Sequence, residues 1–383
     1  MALDTETRDQ LITTVARFVR ERLVPLEDKV AEDDAIPPEI VGEMRGLGLF
    51  GLSIPEEYGG LGLTTEEEAR VVFELGQTSP AFRSTFGTNV GIGSQGLVMD
   101  GTEKQKNKYL PKLASGEMIS CFALTEPEAG SDAGSLTTSA RRKGDGYVLN
   151  GTKRYITNSP QAGLFTVFAR TNPQEPGARG VSAFLIEAGT PGLTVSKAER
   201  KMGQHGAHIA DVILDDCQVP AGALLSDTEN QGFKTAMKVL DRGRLHISAL
   251  CVGIAERLIR DSLAYAMERQ QFGKPIAEFQ LVQAMLADSR VEAYAARCMV
   301  LDAAMRRDAG DNVGTEASCC KLFASEMVGR VADRAVQIHG GAGYVVDHGV
   351  ERFYRDVRLF RLYEGTSQIQ QLIIARDMIR EAT

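Results

Sequence analysis

The spacing of apolar residues divides the chain into a helical start, a β-rich middle and a helical end. In the first 115 residues apolar side chains recur every three or four positions, which is typical of helices that pack on a core. Segments 64–77 and 103–115 are two such predicted helices. The clearest apolar stripe is Leu11, Ile12, Val15, Phe18, Val19 and Leu23.

Between about 118 and 220 the pattern changes to short apolar runs, which predict strands. Asp145-Gly146 and Asn150-Gly151 are tight-turn pairs on either side of Tyr147-Val148-Leu149. No helices alternate with these runs, which counts against a Rossmann fold. The other predicted strands are 165–168, 181–186 and 210–214.

Proline usage separates the end of the chain from the rest. Twelve of the 13 prolines lie at or before Pro220, and only Pro275 follows. Because proline breaks helix interiors, its scarcity leaves room for long helices. We predict them over 247–258, 276–308 and 315–338, with a short one after Gly365. The expected domains are 1–117, 118–229 and 230–383.

Composition narrows the class of protein. A chain of 383 residues suits two or three packed units. A net charge of −8 argues against a nucleic-acid binder, which needs a basic surface. There is no run of about 20 apolar residues for a membrane helix, and the acidic N-terminus does not resemble a signal peptide. We therefore expect a cytoplasmic protein.

Familiar motifs for metals and nucleotides lack their required context. The six cysteines form no CxxC pair, and His205 and His208 have no zinc-ligand partner at the right spacing, so no metal is expected. GxGxxG occurs at 46–51 and at 91–96, but neither match follows a predicted strand. These glycines favour turns and close helix packing over a nucleotide site.

Two segments of the β-rich region carry groups that could bind a ligand. The run 124–132, Leu-Thr-Glu-Pro-Glu-Ala-Gly-Ser-Asp, offers hydroxyls, a glycine and backbone donors after a predicted strand. Such a loop can hydrogen-bond a heterocycle or a phosphate, or it can be a plain strand-end turn. Tyr155-Ile156-Thr157-Asn158 is a strand end that fits either a core or a cofactor site.

Glu364 stands just before the last predicted helix. Ser367 and Gln370 fit a capping box, so the helix begins near Ser367. Gly365 has no side chain to block a ligand, and apolar residues surround the carboxylate. Burial there would raise the pKa of Glu364 and suit it to act as a general base. Alternatively, it is a solvated acid that favours the helix dipole.

Taken together, these segments resemble the acyl-CoA dehydrogenase family over essentially the whole chain. One motif alone is weak, but six in order, matching the helix–β–helix layout, are specific. The motifs are 124–132, Ile156-Thr157-Asn158, Glu268 through Ile276 (ERQQFGKPI), Phe279-Gln280, Gln337 through Tyr344 (QIHGGAGY) and Tyr363-Glu364-Gly365-Thr366.

The resemblance implies a mainly α fold with an N-terminal helical domain, a β-barrel-like middle domain and a C-terminal four-helix bundle. FAD would lie between the middle domain and the bundle of a homotetramer or homodimer, in which an adjacent subunit completes each flavin site. The implied flavin contacts are Phe122, Leu124, Thr125, Gly130, Ser131, Tyr155, Thr157, Thr366 and Gln368. The contacts implied to the adjacent subunit's FAD are Arg269, Phe272, Gln280, Gln337 and Gly341.

The resemblance also implies the reaction. Glu364 would take the α-proton of an acyl-CoA thioester while the β-hydrogen leaves as hydride to the flavin, giving a trans-2-enoyl-CoA. Ser131, Asp241 and Arg244 would contact CoA, with Gly365 beside the substrate. Some relatives carry the base on a bundle helix, but that position is Gly243 here. Electron-transfer flavoprotein is the implied acceptor; an acyl-CoA oxidase, which passes electrons to oxygen, is the alternative.

Two positions stand out against the family pattern, one for flavin packing and one for the substrate. Tyr155 stands where tryptophan is common, so an aromatic ring is kept. The resemblance implies that the string Ala81-Phe82-Arg83-Ser84 lines the acyl-tail end of the pocket. Glutaryl-type members of the family have a similar string there, whose arginine holds a distal carboxylate. Arg83 either does the same, with Ser84 beside it, or caps a helix or pairs with a nearby acid.

Overall fold

The computed structural model describes residues 3–383, and its elements follow the predicted order of helices, strands and helices. The N-terminal helices are α1 (Thr5–Phe18), α2 (Glu27–Asp33), α3 (Pro38–Gly46), α4 (Thr65–Leu75), α5 (Pro80–Val90), α6 (Gln95–Asp100) and α7 (Glu103–Ala114). The strands are β1 (Ser120–Ala123), β2 (Ser139–Lys143), β3 (Gly146–Thr157), β4 (Leu164–Arg170), β5 (Val181–Glu187), β6 (Leu193–Val195) and β7 (Ile209–Pro220), with two-residue strands β8 (Gln270–Gln271) and β9 (Lys274–Pro275). The C-terminal helices are α8 (Gly232–Glu268), α9 (Gln280–Asp308), α10 (Gly314–His339), α11 (Val350–Val357) and α12 (Ser367–Ala382).

Side-chain caps fix the starts of several N-terminal helices. Asp4 accepts a hydrogen bond from Thr7 N before α1, and Thr64 forms a capping box with Glu67 before α4. The apolar stripe of α1 continues past Phe18 through a π-helical turn, so Leu23 stays fully buried. Helix α5 was not among the predicted helices, because every one of its residues is buried and no polar face marks its period.

The seven longer strands form one sheet, in the order β1-β4-β2-β3-β7-β6, with β5 paired to β4. The predicted turn at Asp145-Gly146 joins β2 to β3. The predicted turn at Asn150-Gly151 is wrong, since both residues lie inside β3. The pairing of β3 with β7 shifts register between Leu149 and Gly151, so this pair makes a bulge.

Helices α8, α9, α10 and α12 form the C-terminal bundle, and α8 also packs against α4. Helix α8 is buried without interruption from Gly243 to Ala255. A side chain at Gly253 would overlap the backbone of Phe73, and one at Gly76 would overlap that of α8. These two glycines therefore allow the bundle to approach the N-terminal helices closely, and the site lies at this junction.

The end of β3 is tied to α5 through Asn158, which is fully buried and left-handed (φ 63°). Its amide nitrogen Nδ2 donates to Ser84 O and to Thr88 Oγ1, both at 2.8 Å. Its backbone N–H donates to His208 O at 2.9 Å. One side chain thus joins the sheet to the helix that carries Arg83.

No helix in the region 3–383 is long and apolar enough to cross a membrane.

Candidate active site

Glu364 lies in a tight turn between a short 3-10 helix (Arg358–Arg361) and α12. Both Glu364 (φ 53°) and Gly365 (φ 89°) are left-handed, a conformation that costs a glutamate energy but not a glycine. Thr366 caps α12, since its hydroxyl accepts from Ile369 N at 3.2 Å. The helix begins at Ser367 as predicted, but the capping box assigned to Ser367 and Gln370 is wrong.

Gln370 instead supports the turn from inside α12. Its amide donates to the carbonyl oxygens of Glu364 at 3.1 Å and Gly365 at 3.2 Å. Ser367 donates to Glu326 at 2.6 Å. Both side chains are occupied in holding the turn, which explains why neither reaches back to cap the helix.

The carboxylate of Glu364 is left without a protein partner. Its Oε2 is closed to solvent and accepts no hydrogen bond from residues 3–383, and its backbone N–H is likewise free within this range. Gly243 on α8 faces it so closely that a Cβ there would overlap Oε2. An unpaired, solvent-excluded carboxylate oxygen therefore lies against Gly243 of α8, on a residue whose backbone N–H also has no partner in the described range.

Burial raises the pKa of Glu364, while the positive charges of Arg83, Lys321 and Arg244 oppose that rise. None of these three cations hydrogen-bonds the carboxylate. Arg244 pairs with Asp241 at 2.5 Å, one helical turn away. The arrangement suits a group that must be ionised to accept a proton and must also have an unoccupied oxygen.

Arg83 lies on α5 and is 9% exposed. Its Nε donates to His246 Nε2 at 2.7 Å, and His246 Nδ1 lies 2.6 Å from Glu68 Oε1. Glu68 Oε2 also accepts a hydrogen bond from Arg242 Nη2 at 2.6 Å. Over the described residues Arg83 forms no salt bridge, so the expectation that it pairs with an acid is not met; its terminal nitrogens have no protein partner.

His246 is neutral in this chain. Burial first, and then the Arg83 charge, lower the pKa of His246 to about 4. Since Nε2 accepts from Arg83, the ring proton sits on Nδ1 and is donated to Glu68. Gly87 completes the support, because a Cβ there would come within 2.7 Å of the Arg83 guanidinium carbon. The hydroxyl of Ser84 donates a hydrogen bond to Pro80 O, one turn earlier in the same helix, at 3.1 Å.

A buried ion pair shapes the loop after β1. Lys153 on β3 is fully buried and donates to Glu126 at 2.7 Å and to Leu124 O at 3.1 Å. Glu126 also accepts from the backbone N–H groups of Thr137 at 2.6 Å and Thr138 at 2.9 Å. Burial alone would raise the pKa of Glu126, but the Lys153 charge lowers it to about 2. This pair fixes the path of the predicted flavin loop.

The residues predicted to bind flavin fall into separate groups. One group gathers at the ends of β1 and β3, where Gly130 has open space around it and Tyr155 is 56% exposed in a left-handed conformation (φ 58°). The threonine and serine hydroxyls and the accessible loop backbone at this position are groups that can hydrogen-bond the rings and phosphates of FAD. The members of this group are Phe122, Leu124, Thr125, Gly130, Ser131, Tyr155 and Thr157. Thr366 and Gln368 form a second group at the start of α12.

The third group lies far from Glu364. Gln337 is 16 residues beyond Lys321 on α10, which is about 24 Å along a helix axis. Phe272 is 93% exposed and left-handed (φ 51°). The distance of Gln337 and the exposure of Phe272 are consistent with the expectation that this group serves another subunit's flavin. They are Arg269, Phe272, Gln280, Gln337 and Gly341.

Four side chains of the site were not predicted from the sequence: Glu68, Lys153, His246 and Lys321. Each is a charged or polar residue placed on the apolar face of its helix or strand. Lys321, for example, follows Ala317 by four positions and precedes Ala324 by three, and all three are fully buried. A polar residue at a core position of a periodic pattern was the available signal.

Comparison with known proteins gives matches over almost the whole chain. The acyl-CoA dehydrogenase N-terminal, middle and C-terminal domains match residues 5–117, 121–217 and 230–379. A probable acyl-CoA dehydrogenase, YngJ of Bacillus subtilis, is 43% identical over 98% of this chain and 99% of its own. The acryloyl-CoA reductase (NADH) of Anaerotignum propionicum is 42% identical, covering 98% and 95%.

Solved structures agree. A chain from work on the electron transferring flavoprotein of Acidaminococcus fermentans has a TM-score of 0.95 at 38% identity, covering 99% of this chain and 100% of that one. Butyryl-CoA dehydrogenase from Megasphaera elsdenii gives 0.94 at 35%, covering 99% and 100%. A glutaryl-CoA dehydrogenase in complex with glutaryl-CoA gives 0.93 at 35%, covering 99% and 96%.

The structure of PigA is an FAD complex, which confirms the cofactor prediction at the level of relatives. PigA has a TM-score of 0.94 at 29% identity, covering 99% of this chain and 98% of its own. The predicted fold class is confirmed by the same structures. The matched domains, the full-length relatives and the shared architecture establish that this chain is an oxidoreductase of the acyl-CoA dehydrogenase family.

Proposed function

We propose that the protein catalyses FAD-dependent α,β-dehydrogenation of an acyl-CoA thioester to trans-2-enoyl-CoA, with Glu364 as the base. The observation that carries this proposal is the buried, unpaired Glu364 Oε2 facing Gly243. Among residues 3–383 the neighbouring carboxylates are already paired: Asp241 with Arg244, Glu68 with His246 and Arg242, and Glu326 with Arg361 and Ser367.

The residues around Glu364 have distinct tasks. Its free backbone N–H donates to the thioester carbonyl and so acidifies the α-proton, which the carboxylate removes. Gly365 and Gly243 leave room for the acyl chain. Ser131 and the Asp241–Arg244 pair contact CoA. FAD, when bound, supplies the hydride acceptor.

The elevated pKa of Glu364 fits this role. Burial makes the ionised carboxylate more basic than a solvated glutamate, and the positive charges of Arg83, Lys321 and Arg244 act against that rise. Because the base must be ionised, the rate of flavin reduction should rise with pH through the pKa of Glu364. The direction of the shift places that rise above the ordinary glutamate value of 4.5.

The test is Glu364→Gln, with Glu292→Gln as the control, since Glu292 lies on α9 and pairs with Arg330 and Arg334. Glu364→Gln should keep its flavin spectrum but lose most bleaching by acyl-CoA, by about 10³-fold or more, since no second base is at hand. Substantial turnover in that variant would remove Glu364 from the role. Glu292→Gln should retain bleaching.

A dicarboxylic acyl-CoA is a second candidate substrate, favoured by the terminal nitrogens of Arg83, which no protein group occupies while Nε is held by His246. A bidentate contact with a distal carboxylate would use those donors. Anaerobic titration with butyryl-, octanoyl- and glutaryl-CoA decides. Bleaching by glutaryl-CoA alone, lost in Arg83→Met, supports the carboxylate contact; bleaching by the neutral esters alone makes Arg83 structural.

The remaining parts of the proposal follow from the family. We infer domains at 1–117, 118–229 and 230–383, a cytoplasmic homotetramer or homodimer, and flavin contacts from the adjacent subunit through the group that contains Phe272 and Gln337. Electron-transfer flavoprotein is the expected acceptor. Steady oxygen consumption with substrate would indicate the oxidase alternative. One relative is named an acryloyl-CoA reductase (NADH), and reduction of acryloyl-CoA is the reverse of an α,β-dehydrogenation.

A further inference from the structure

Lys321 is a fully buried lysine in the middle of α10. The residues that share its helix face are Ala317, Ala324 and Val328, all of them fully buried. Its ammonium makes one hydrogen bond within residues 3–383, to Gly365 O at 2.6 Å. Placing a charge in such surroundings is costly, and a single carbonyl does not repay the cost.

Lys321 and Gln370 hold the same turn from opposite sides. Lys321 reaches Gly365 O from α10, while Gln370 reaches Gly365 O and Glu364 O from α12. The carbonyl group of Gly365 is thereby held from two helices, and that of Glu364 from α12. Since both residues of the turn are left-handed, this support holds a conformation that the chain would otherwise leave.

The charges around Lys321 single out Glu364. Burial lowers the pKa of Lys321 to about 8, and the groups that face it are Cys251 on α8, Glu364 on the turn, Arg244 on α8 and Glu326 on its own helix. Glu326 is already bonded to Arg361 and Ser367. Glu364 is therefore the carboxylate near Lys321 that has no other partner.

We propose that Lys321 is a positioning residue that fixes the Glu364–Gly365 turn and holds the Glu364 carboxylate in its ionised form. It acts through Glu364 and does not touch the acyl group. This inference rests on the proposed function of Glu364 as the base. Lys321 supplies both a hydrogen bond to the backbone of the base and the positive charge that offsets its burial.

The sign of the effect follows from the charges. An opposite charge nearby lowers the pKa of a carboxyl, so removing it raises the pKa. Arg83 and Arg244, the other cations that face Glu364, remain in place. In Lys321→Met the pKa of Glu364 should rise by about 1 pH unit or more, the usual effect of one close charge. The acid limb of flavin bleaching should move upward with it.

The experiment uses the purified holoenzyme. Infrared difference spectra over pH report the protonated carboxyl band of Glu364, identified by its loss in Glu364→Gln. Rapid anaerobic mixing with an acyl-CoA that bleaches the flavin gives the pH profile of the rate. In Lys321→Met both midpoints should rise together, and the maximal rate should fall about tenfold or more with little change in KM, since a misplaced base slows the step.

Three further variants isolate the cause. Lys321→Gln keeps an N–H donor for Gly365 O without the charge, so its midpoints should also rise; it serves as the test if Lys321→Met does not fold. Lys321→Arg should restore the wild-type midpoint. Lys201→Met removes another buried ammonium, one beside Asp34 and Asp356, and should leave both midpoints unchanged.

The proposal is overturned if folded, flavin-bearing Lys321→Met and Lys321→Gln titrate within about 0.3 unit of the wild type, a shift too small for a close charge. That failure differs from failure of the proposed function. If Glu364→Gln remains active, Glu364 is not the base. If Glu364→Gln is inactive and the Lys321 variants keep the wild-type midpoint, only the role of Lys321 fails.

Discussion

Replacing Lys153 by methionine should destabilise the protein by removing one half of a buried ion pair. Methionine matches the length of the aliphatic stem, so the change isolates the ammonium. Breaking a buried pair costs about 3–5 kcal/mol, because the remaining charge is left without its partner. Glu126 keeps the N–H donors of Thr137 and Thr138, so we expect a loss at the lower end of this range, about 3 kcal/mol. That is roughly a hundredfold change in the folding equilibrium.

Urea unfolding, followed by circular dichroism and by release of flavin fluorescence, measures this loss. Lys153→Met should unfold at lower urea, and its flavin should be released first, since Leu124 O loses a donor at the start of the flavin loop. The double variant Glu126→Gln/Lys153→Met removes both charges and should lose less than Lys153→Met alone. Arg142→Met, which breaks an exposed pair with Glu229, should cost at most about 1 kcal/mol.

Two results would refute this reasoning. One is a Lys153→Met variant within about 1 kcal/mol of the wild type, the range of an exposed pair. The other is a double variant whose loss equals the sum of the losses of Lys153→Met and of a single Glu126→Gln variant measured in the same way, which would mean that the two side chains do not interact.

Three further predictions concern the base, the acid limit and a helix cap. Gly243→Ala should push the Glu364 carboxylate aside and slow flavin bleaching by about 10²-fold, as for a displacement of about 1 Å. Gly42 is a helical glycine with open space around it, so Gly42→Ala should leave the rate unchanged. Equal rates for the two variants would contradict the contact between Gly243 and Glu364. Since Glu68 and Glu126 have pKa values of about 2 in the folded protein, against 4.5 normally, each should withdraw about 3 kcal/mol of stability as pH falls from 4.5 towards 2. His246 also lowers the stability as pH falls from 6.5 to 4, because its pKa in the folded protein is reduced to about 4. Burial raises the pKa of Asp356 to about 6, so this residue instead adds stability as pH falls from 6 to 3.8. A Glu68→Gln variant whose stability depends on acid pH as in the wild type would count against the role of Glu68. Thr64→Ala removes the capping box of α4 and should cost about 1 kcal/mol in thermal unfolding, with an unchanged melting temperature arguing that the cap is not used.

The order of helices and strands could be predicted because apolar periodicity is a local property of the chain. The errors occurred where two local rules compete. Asn150-Gly151 has turn chemistry, but pairing with β7 keeps it inside a strand as a bulge. Thr366 and Ser367 both have capping hydroxyls, and the Glu326 partner of Ser367, which comes from another helix, leaves the cap to Thr366.

The site was predictable only where its residues lie close together in sequence. Glu364, Gly365 and Thr366 form one short motif. Lys321 reaches that motif from 43 residues earlier (364 − 321), and its role depends on how two helices pack. His246 lies 163 residues from Arg83 (246 − 83), so no spacing rule would have joined them. Contacts of this kind are set by tertiary packing, which a single sequence does not display.

If α5 contacts the acyl group and the end of β3 contacts FAD, as proposed, the hydrogen bonds of Asn158 mean that acyl recognition and cofactor binding cannot be exchanged independently. Through Ser84 O and Thr88 Oγ1, a shift of α5 is passed to the end of β3, where Tyr155 and Thr157 stand. A chimera that imports α5 from another dehydrogenase, in order to transplant its substrate preference, would therefore disturb the opposite wall as well. Successful transplants should need to carry α5 and the 155–158 segment together, and natural divergence in chain-length preference should have moved these two segments as one unit.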